Sequence, residues 1–179
     1  MIHNFIFNES FIFVQKCEHL VQSYNNVSFR LAEDCHLDRI LEIWTQGWCQ
    51  THPQDTIESS QIKQFKKNFL NRSHPFNFWL VETEEDIAGW VSVVPAFYHP
   101  MKDQSEAEIS IYIDKVYSNN GLGTQVTSHV LEEINETGIN NVWAFVSKHN
   151  EASKAMCMNA GMSICGQTSS RFVLIKEYN

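Results

Sequence analysis

The stretch that most constrains this chain is a β-like run, Ile111-Tyr112-Ile113, that leads through Asp114–Asn119 into Asn120-Gly121-Leu122-Gly123-Thr124 and then an amphipathic helix. Leu122, Val126, Val130 and Ile134 recur at helical spacing after the glycines. Two glycines one residue apart at a helix mouth allow close backbone approach and leave the first-turn N–H groups without acceptors. With the helix dipole, such amides can cradle a pyrophosphate. The same letters also suit a simple tight strand-to-helix turn, and on this motif alone both readings stand. A dinucleotide fingerprint fails because Val126 stands where a third small residue is needed. A Walker loop fails because Gly123-Thr124-Gln125 lacks the Gly-Lys-Ser/Thr ending.

The flanking sequence alternates between strand and helix. Val27–Ala32 reads as a strand, and Asp34 can cap a helix bearing Leu37, Ile40, Leu41 and Trp44, with Gly47 as its stop. A second helix is predicted from about Ile57 to Phe69, and strands at Asn77–Thr83 and Ile87–Val94 flank the turn Glu84-Glu85-Asp86. In Glu106–Asp114, Ile109, Ile111 and Ile113 share one face; Glu108, Ser110 and Tyr112 share the other. The glycine-loop helix runs through Glu136 to Gly138, and Asn141–Lys148 is the next strand. Asn150 caps a helix to Ala160, and Ser163–Ser169 with Arg171–Tyr178 form a closing hairpin. The order β-α-α-β-β-β-α-β-α-β-β implies an α/β fold with a mixed sheet covered by helices on both faces. Residues 1–26 read as an N-terminal extension with Phe5, Phe7, Phe11 and Phe13 in alternation. Residues 27–179 read as one domain. The apolar extension could cover this molecule's core or a partner's.

Composition excludes several classes. With 13 Lys+Arg against 21 Asp+Glu, the net charge of −8 argues against nucleic acid as partner. Cys17, Cys35, Cys49, Cys157 and Cys165 are odd in number and form no CxxC pair, so reduced thiols in a cytoplasm are expected. No apolar run approaches the roughly 18–20 residues of a membrane helix. The apolar start carries no Lys or Arg ahead of it and is interrupted by Asn8-Glu9-Ser10, unlike a signal peptide. The eight His lack HxxxH and HxH spacings, so no metal site is expected.

Taken together, AEISIYIDKVYSNNGLGTQVTSHVL and NVWAFVSKHNEASKAMCMNAGM resemble the cofactor-binding half of the GNAT superfamily of N-acetyltransferases, nearest its phosphinothricin acetyltransferase-like branch. RLAEDCHLDRILEIWTQG and FWLVETEEDIAGWVSVVP resemble that family's opening strand and helix and its second and third strands, so the likeness spans about residues 27–178. The resemblance implies a GNAT-type fold: a mostly antiparallel sheet of about seven strands, splayed between the fourth and fifth, with acetyl-CoA entering the gap. It implies that the backbone of Ile111, Tyr112 and Ile113 pairs with the pantetheine arm. Amides of Ser118, Asn119, Asn120, Gly121, Leu122, Gly123 and Thr124 would hold the pyrophosphate. Asn150 and Ser153 would bond the pantetheine and phosphate region. The family's loop usually begins with Arg or Gln; here it has Ser118, with Lys115 and Lys154 as nearby cations.

Acetyl transfer to an amine needs a neutral amine, a stabilised oxyanion and a proton for the leaving thiolate. Glu108 is the candidate base, matching a Glu of the phosphinothricin-type branch; the plain alternative is a solvated glutamate like its neighbour Glu106. Cys157 stands where the family usually has an acidic Tyr. A thiol can protonate a thiolate, but free Cys is also a common small core residue; Tyr112 or solvent would then serve. Trp48, Phe97 and Tyr98 are candidates for the acceptor pocket, Trp44 for the core, and Glu82–Asp86 for a solvated turn. The function implied is direct transfer from acetyl-CoA to a primary amine of a small molecule, an amino acid or analogue, without a metal or membrane. The alternatives are an acyl-CoA-binding sensor or subunit, and a protein N-terminal or lysine acetyltransferase. A homodimer is a family-level expectation.

Overall fold

A computed structural model describes residues 27–51, 56–96 and 105–178. The extension 1–26, the pocket candidates Phe97 and Tyr98, and the loop up to residue 104 lie outside the described residues. Seven strands form one sheet: β1 (Ser28–Leu31), β2 (Phe78–Glu82), β3 (Ile87–Pro95), β4 (Glu106–Ile113), β5 (Asn141–Ser147), β6 (Ser163–Gln167) and β7 (Arg171–Glu177). Their spatial order is β1-β2-β3-β4-β5-β7-β6, and every pairing is antiparallel except β4 with β5. The helices are α1 (Leu37–Thr51), α2 (Ser59–Leu70), α3 (Leu122–Ile134) and α4 (Glu151–Asn159).

Each face of the sheet has its own core. Ile40, Ile43 and Trp44 of α1 and Phe69 of α2 pack on Phe78, Leu80 and Trp90. On the opposite face, Val126, Val130 and Ile134 of α3 and Cys157 of α4 pack on Val91, Val93, Ile109, Val142 and Ala144. Double coverage explains why β2 and β3 read as nearly continuous apolar runs. The Trp90 indole N–H donates to the Ile40 carbonyl at 3.0 Å, so this buried polar group is satisfied while it ties α1 to β3. Arg39 adds a second tie, reaching Asp114 at 2.9 Å, Asp86 at 3.0 Å and the Ile87 carbonyl at 3.1 Å.

The structure departs from three local expectations. Asp34 is not the cap: Glu33 forms a capping box with His36, and Asp34 pairs instead with Arg72 at 2.8 Å. α3 ends at Ile134 rather than Glu136, before the turn that Gly138 makes at φ 82°. The expected stop at Gly47 does not occur, since α1 continues to Thr51. Gly47 serves packing: a β-carbon there would stand 2.6 Å from the Tyr112 ring. That ring cannot retreat easily, because it stacks on Trp90 with centroids 4.8 Å apart.

Gly47→Ala therefore sets a helix-propensity gain of about 1 kcal/mol against overpacking of about 1–3 kcal/mol. Overpacking should win, lowering the thermal midpoint by a few degrees, ~2–4 °C per kcal/mol. Differential scanning calorimetry checks this; a higher midpoint would show that Tyr112 yields.

Candidate active site

β4 and β5 pair over three rungs only: Glu106 with Asn141, Ala107 with Val142 and Glu108 with Trp143. Beyond Glu108, β4 stays on β3 as far as Ile113, while β5 stays on β7 as far as Ser147. The two strands part, and a cleft of about 260 Å³ opens between them.

The closed end of the cleft is held by a carboxylate. Glu106 is 8% exposed, and it accepts from Asn141 Nδ2 at 2.6 Å and Trp143 Nε1 at 2.5 Å. The expectation of a solvated Glu106 is thus overturned, because both donors lie on the neighbouring strand and only the pairing of β4 with β5 brings them there.

Glu108, two residues on, points to the same face but lines the cleft. Its carboxylate accepts no hydrogen bond from the described residues, and burial pushes its pKa above the ordinary glutamate range, with the Arg171 charge opposing. Burial also raises the Tyr112 phenol, opposed by a hydrogen bond from Trp44. Trp48 lines the cleft too, edge-on to Trp44 at 6.3 Å.

Strand register decides which backbone groups face the gap. The Glu106 carbonyl accepts from Ala96 and the Asp114 N–H donates to Ala88, so residues of that parity turn toward β3. Tyr112 belongs to that set. Its carbonyl lies near Gly89, whose β-carbon would meet it at 2.6 Å. The N–H and C=O groups of Ile111 and Ile113 turn the other way, into the gap, whereas the Ile109 N–H is taken up by the rung that pairs Glu108 with Trp143. Of the three β4 residues named from sequence, Ile111 and Ile113 present backbone to the cleft and Tyr112 presents its ring to α1.

The glycine loop lies against the end of β4. A 3-10 turn, Lys115–Tyr117, is capped by Asp114, whose carboxylate accepts from the Val116 N–H at 3.1 Å. Ser118 Oγ donates to the Lys115 carbonyl at 2.8 Å, and Asn119 takes φ 65°. Gly121, at φ 78°, is the N-cap of α3 and brings no side chain to it. The amides of Leu122, Gly123 and Thr124 therefore lack an intrahelical acceptor, as the sequence implied. Gly123 has a further reason to be glycine: a β-carbon there would stand 2.5 Å from Met156 Sδ on α4 and 3.7 Å from Ile113. Its bareness lets α3 close on α4 and β4.

Asn150 and Ser153 both line the cleft, with Asn150 Oδ1 accepting from the Ser153 N–H at 3.0 Å as the N-cap of α4. The cap occupies Oδ1 and leaves the Asn150 amide as a donor. Lys154 pairs with Glu151 and lies 4.8 Å over the Phe172 ring. Cys157 lines the inner wall at 1% exposure, and burial pushes its thiol up to about 11. It stays protonated across the neutral range. Arg171, absent from the sequence-level candidates, also lines the cleft. Its one sequence signal is its place at the start of the last strand.

A splayed parallel pair beside a bare helix N-terminus is the arrangement the resemblance implied. The sequence profile described as the acetyltransferase (GNAT) domain matches residues 26–163. The chain belongs to the GNAT acetyltransferase family. As a member it is an acetyl-CoA-dependent N-acetyltransferase. A protein of Bacillus subtilis (strain 168) named as a candidate phosphinothricin acetyltransferase, YwnH, is 23% identical over 141 residues, 78% of this chain and 86% of its own. The crystal structure of a candidate phosphinothricin N-acetyltransferase shares the fold with TM-score 0.71 and 21% identity, over 86% of this chain and 99% of that one. A candidate acetyltransferase from Salmonella typhimurium, yncA, solved with acetyl-CoA, gives TM-score 0.70 and 16% identity, over 86% and 95%. This GNAT member has no helix among its described residues long and apolar enough to cross a membrane.

Glu106→Ala leaves the Asn141 amide and Trp143 indole without their buried acceptor. It should cost about 2–4 kcal/mol of stability in urea denaturation. A variant as stable as the parent would show that the three rungs alone hold the cleft's apex.

Proposed function

We propose that this acetyltransferase moves the acetyl group of acetyl-CoA to a primary amine of a small molecule, an amino acid or analogue, by direct attack in a ternary complex in the cytoplasm. The observation that carries this reading is Glu108: a carboxylate with no hydrogen-bond donor among the described residues, raised in pKa by burial, on the wall of the cleft. Free thiols at Cys35, Cys49, Cys157 and Cys165 suit a reducing compartment.

The chain's own groups fit the coenzyme. The gap-facing backbone of Ile111 and Ile113 is a strand edge on which an amide-bearing arm can lie. The first-turn amides of α3, with the loop from Ser118 to Thr124, suit a pyrophosphate, and Asn150 and Ser153 stand at the gap's inner wall.

Acetyl-CoA supplies the acetyl group as a thioester, whose C–S bond breaks as the N–C bond forms. Glu108 accepts a proton from the acceptor's ammonium, directly or through water, and so frees the nitrogen lone pair. A gap-facing N–H of β4 donates to the carbonyl oxygen as it gains charge. Cys157 gives its thiol proton to the departing sulfur and recovers one from solvent, which also takes the second proton lost by nitrogen.

A raised pKa makes ionised Glu108 costly to the fold. Its contribution to stability is present below the unfolded pKa and is lost as pH rises through the folded one. Glu108→Gln should therefore melt no lower than the parent at pH 7 while losing about 10²–10³-fold in kcat. The ascending limb of the parent's kcat/KM profile, set by Glu108 above the ordinary glutamate range, should vanish in the variant. Thiol release against a panel of amines reads both effects; an unchanged rate and profile removes Glu108 from the reaction.

Cys157→Ala should lower kcat about tenfold or more and leave the KM for acetyl-CoA unchanged, since water is the weaker substitute donor. Steady-state kinetics on Cys157→Ala and Cys157→Ser check it. Full activity in both would leave Cys157 a packing residue.

A further inference from the structure

Three of the chain's four arginines are engaged with carboxylates: Arg30 with Glu82 at 2.6 Å, Arg39 with Asp114 at 2.9 Å, and Arg72 with Asp34 at 2.8 Å. Arg171 is different. Its backbone is pinned: its N–H donates to Thr168 Oγ1 at 3.0 Å, its carbonyl accepts from the Thr168 N–H at 2.8 Å, and it registers with Ser147. Its side chain is exposed at the cleft wall, with no carboxylate within ion-pair distance among the described residues.

Register also fixes its side of the sheet. Phe172 packs into the α4 face, under Lys148 at 6.0 Å and Lys154 at 4.8 Å. Alternation then turns Arg171 to the opposite face, where Glu108 and Tyr112 also point. Its charge reaches both of them, opposing the upward shift of each pKa. The lysines thus stand on the side of the glycine-loop helix, and the unpaired guanidinium stands on the acceptor side.

A guanidinium beside a base is matched by a substrate that carries an anion next to its amine, because the planar fork binds carboxylate bidentately. We infer that Arg171 binds the carboxylate of an α-amino acid acceptor while Glu108 takes the proton from the ammonium of the same molecule. This rests on the small-amine reading above and adds to it a specificity-determining residue and the group it recognises.

The test is thiol release by the full chain at fixed acetyl-CoA, with the standard amino acids set against their decarboxylated amines and their carboxamides. Acids should exceed both counterparts that lack the carboxylate by roughly 10- to 100-fold in kcat/KM, the worth of one charged hydrogen-bonded pair. Arg171→Gln should lose that preference chiefly through the amino-acid KM, with the KM for acetyl-CoA unchanged, and Arg171→Lys should restore part of it. Equal use of acids and decarboxylated amines overturns the Arg171 assignment and leaves amine acetylation standing. A rise in Arg171→Gln confined to the KM for acetyl-CoA overturns it too, placing the guanidinium on the coenzyme. Release with none of these compounds overturns both readings.

Discussion

The buried carboxylate of Glu106 fixes where two strands must stay together and so where they are able to part. Its two oxygens take the Asn141 amide and the Trp143 indole across the junction of β4 and β5. Leaving those donors unpaired in an interior would cost more than the bonds contribute, so the junction resists opening at that end. Beyond Glu108 each strand keeps its outer neighbour and loses its inner one. Main-chain groups that a closed sheet would satisfy internally are thereby left for a ligand. The cleft is a product of the sheet's incompleteness.

The sheet also divides the chemistry between its faces. Cys157, Met156 and the start of α3 lie on one side; Glu108, Tyr112, Trp48 and Arg171 lie on the other. Cys157 stays a thiol because its surroundings are apolar, and Glu108 holds its proton more tightly than an exposed glutamate because part of its surroundings is. Both shifts come from desolvation, and both raise a pKa, one of a thiol in the apolar wall and one of a carboxylate facing the cleft. The chain's net charge of −8 hides this local arrangement, in which the Arg171 guanidinium lines the cleft with no carboxylate in ion-pair distance among the described residues.

Period-two and helical patterns carried most of the fold. The isoleucines at 109, 111 and 113 announced a strand with one face in the core, and the glycine loop announced a strand-to-helix junction. Structure and local pattern diverge where a residue's reason is tertiary. Gly47 reads as a helix stop because glycine ends helices, whereas here it makes room for the Tyr112 ring. Gly123 reads as part of a ligand loop, and it also admits Met156. Arg171 carried no local motif at all, since its meaning depends on which carboxylates fail to reach it.

The sequence by itself determined the order of elements, the two faces of β4 and the bare N-terminus of α3, because each follows from contacts within a few residues along the chain. Only the tertiary structure distinguished Glu106 from Glu108. The two share a strand, a face and a chemistry, and differ in what another strand brings near: two donors to one, an open gap to the other. Burial and hydrogen bonding across the sheet act through space, and it is they that make one carboxylate a fastening and leave its neighbour able to take a proton.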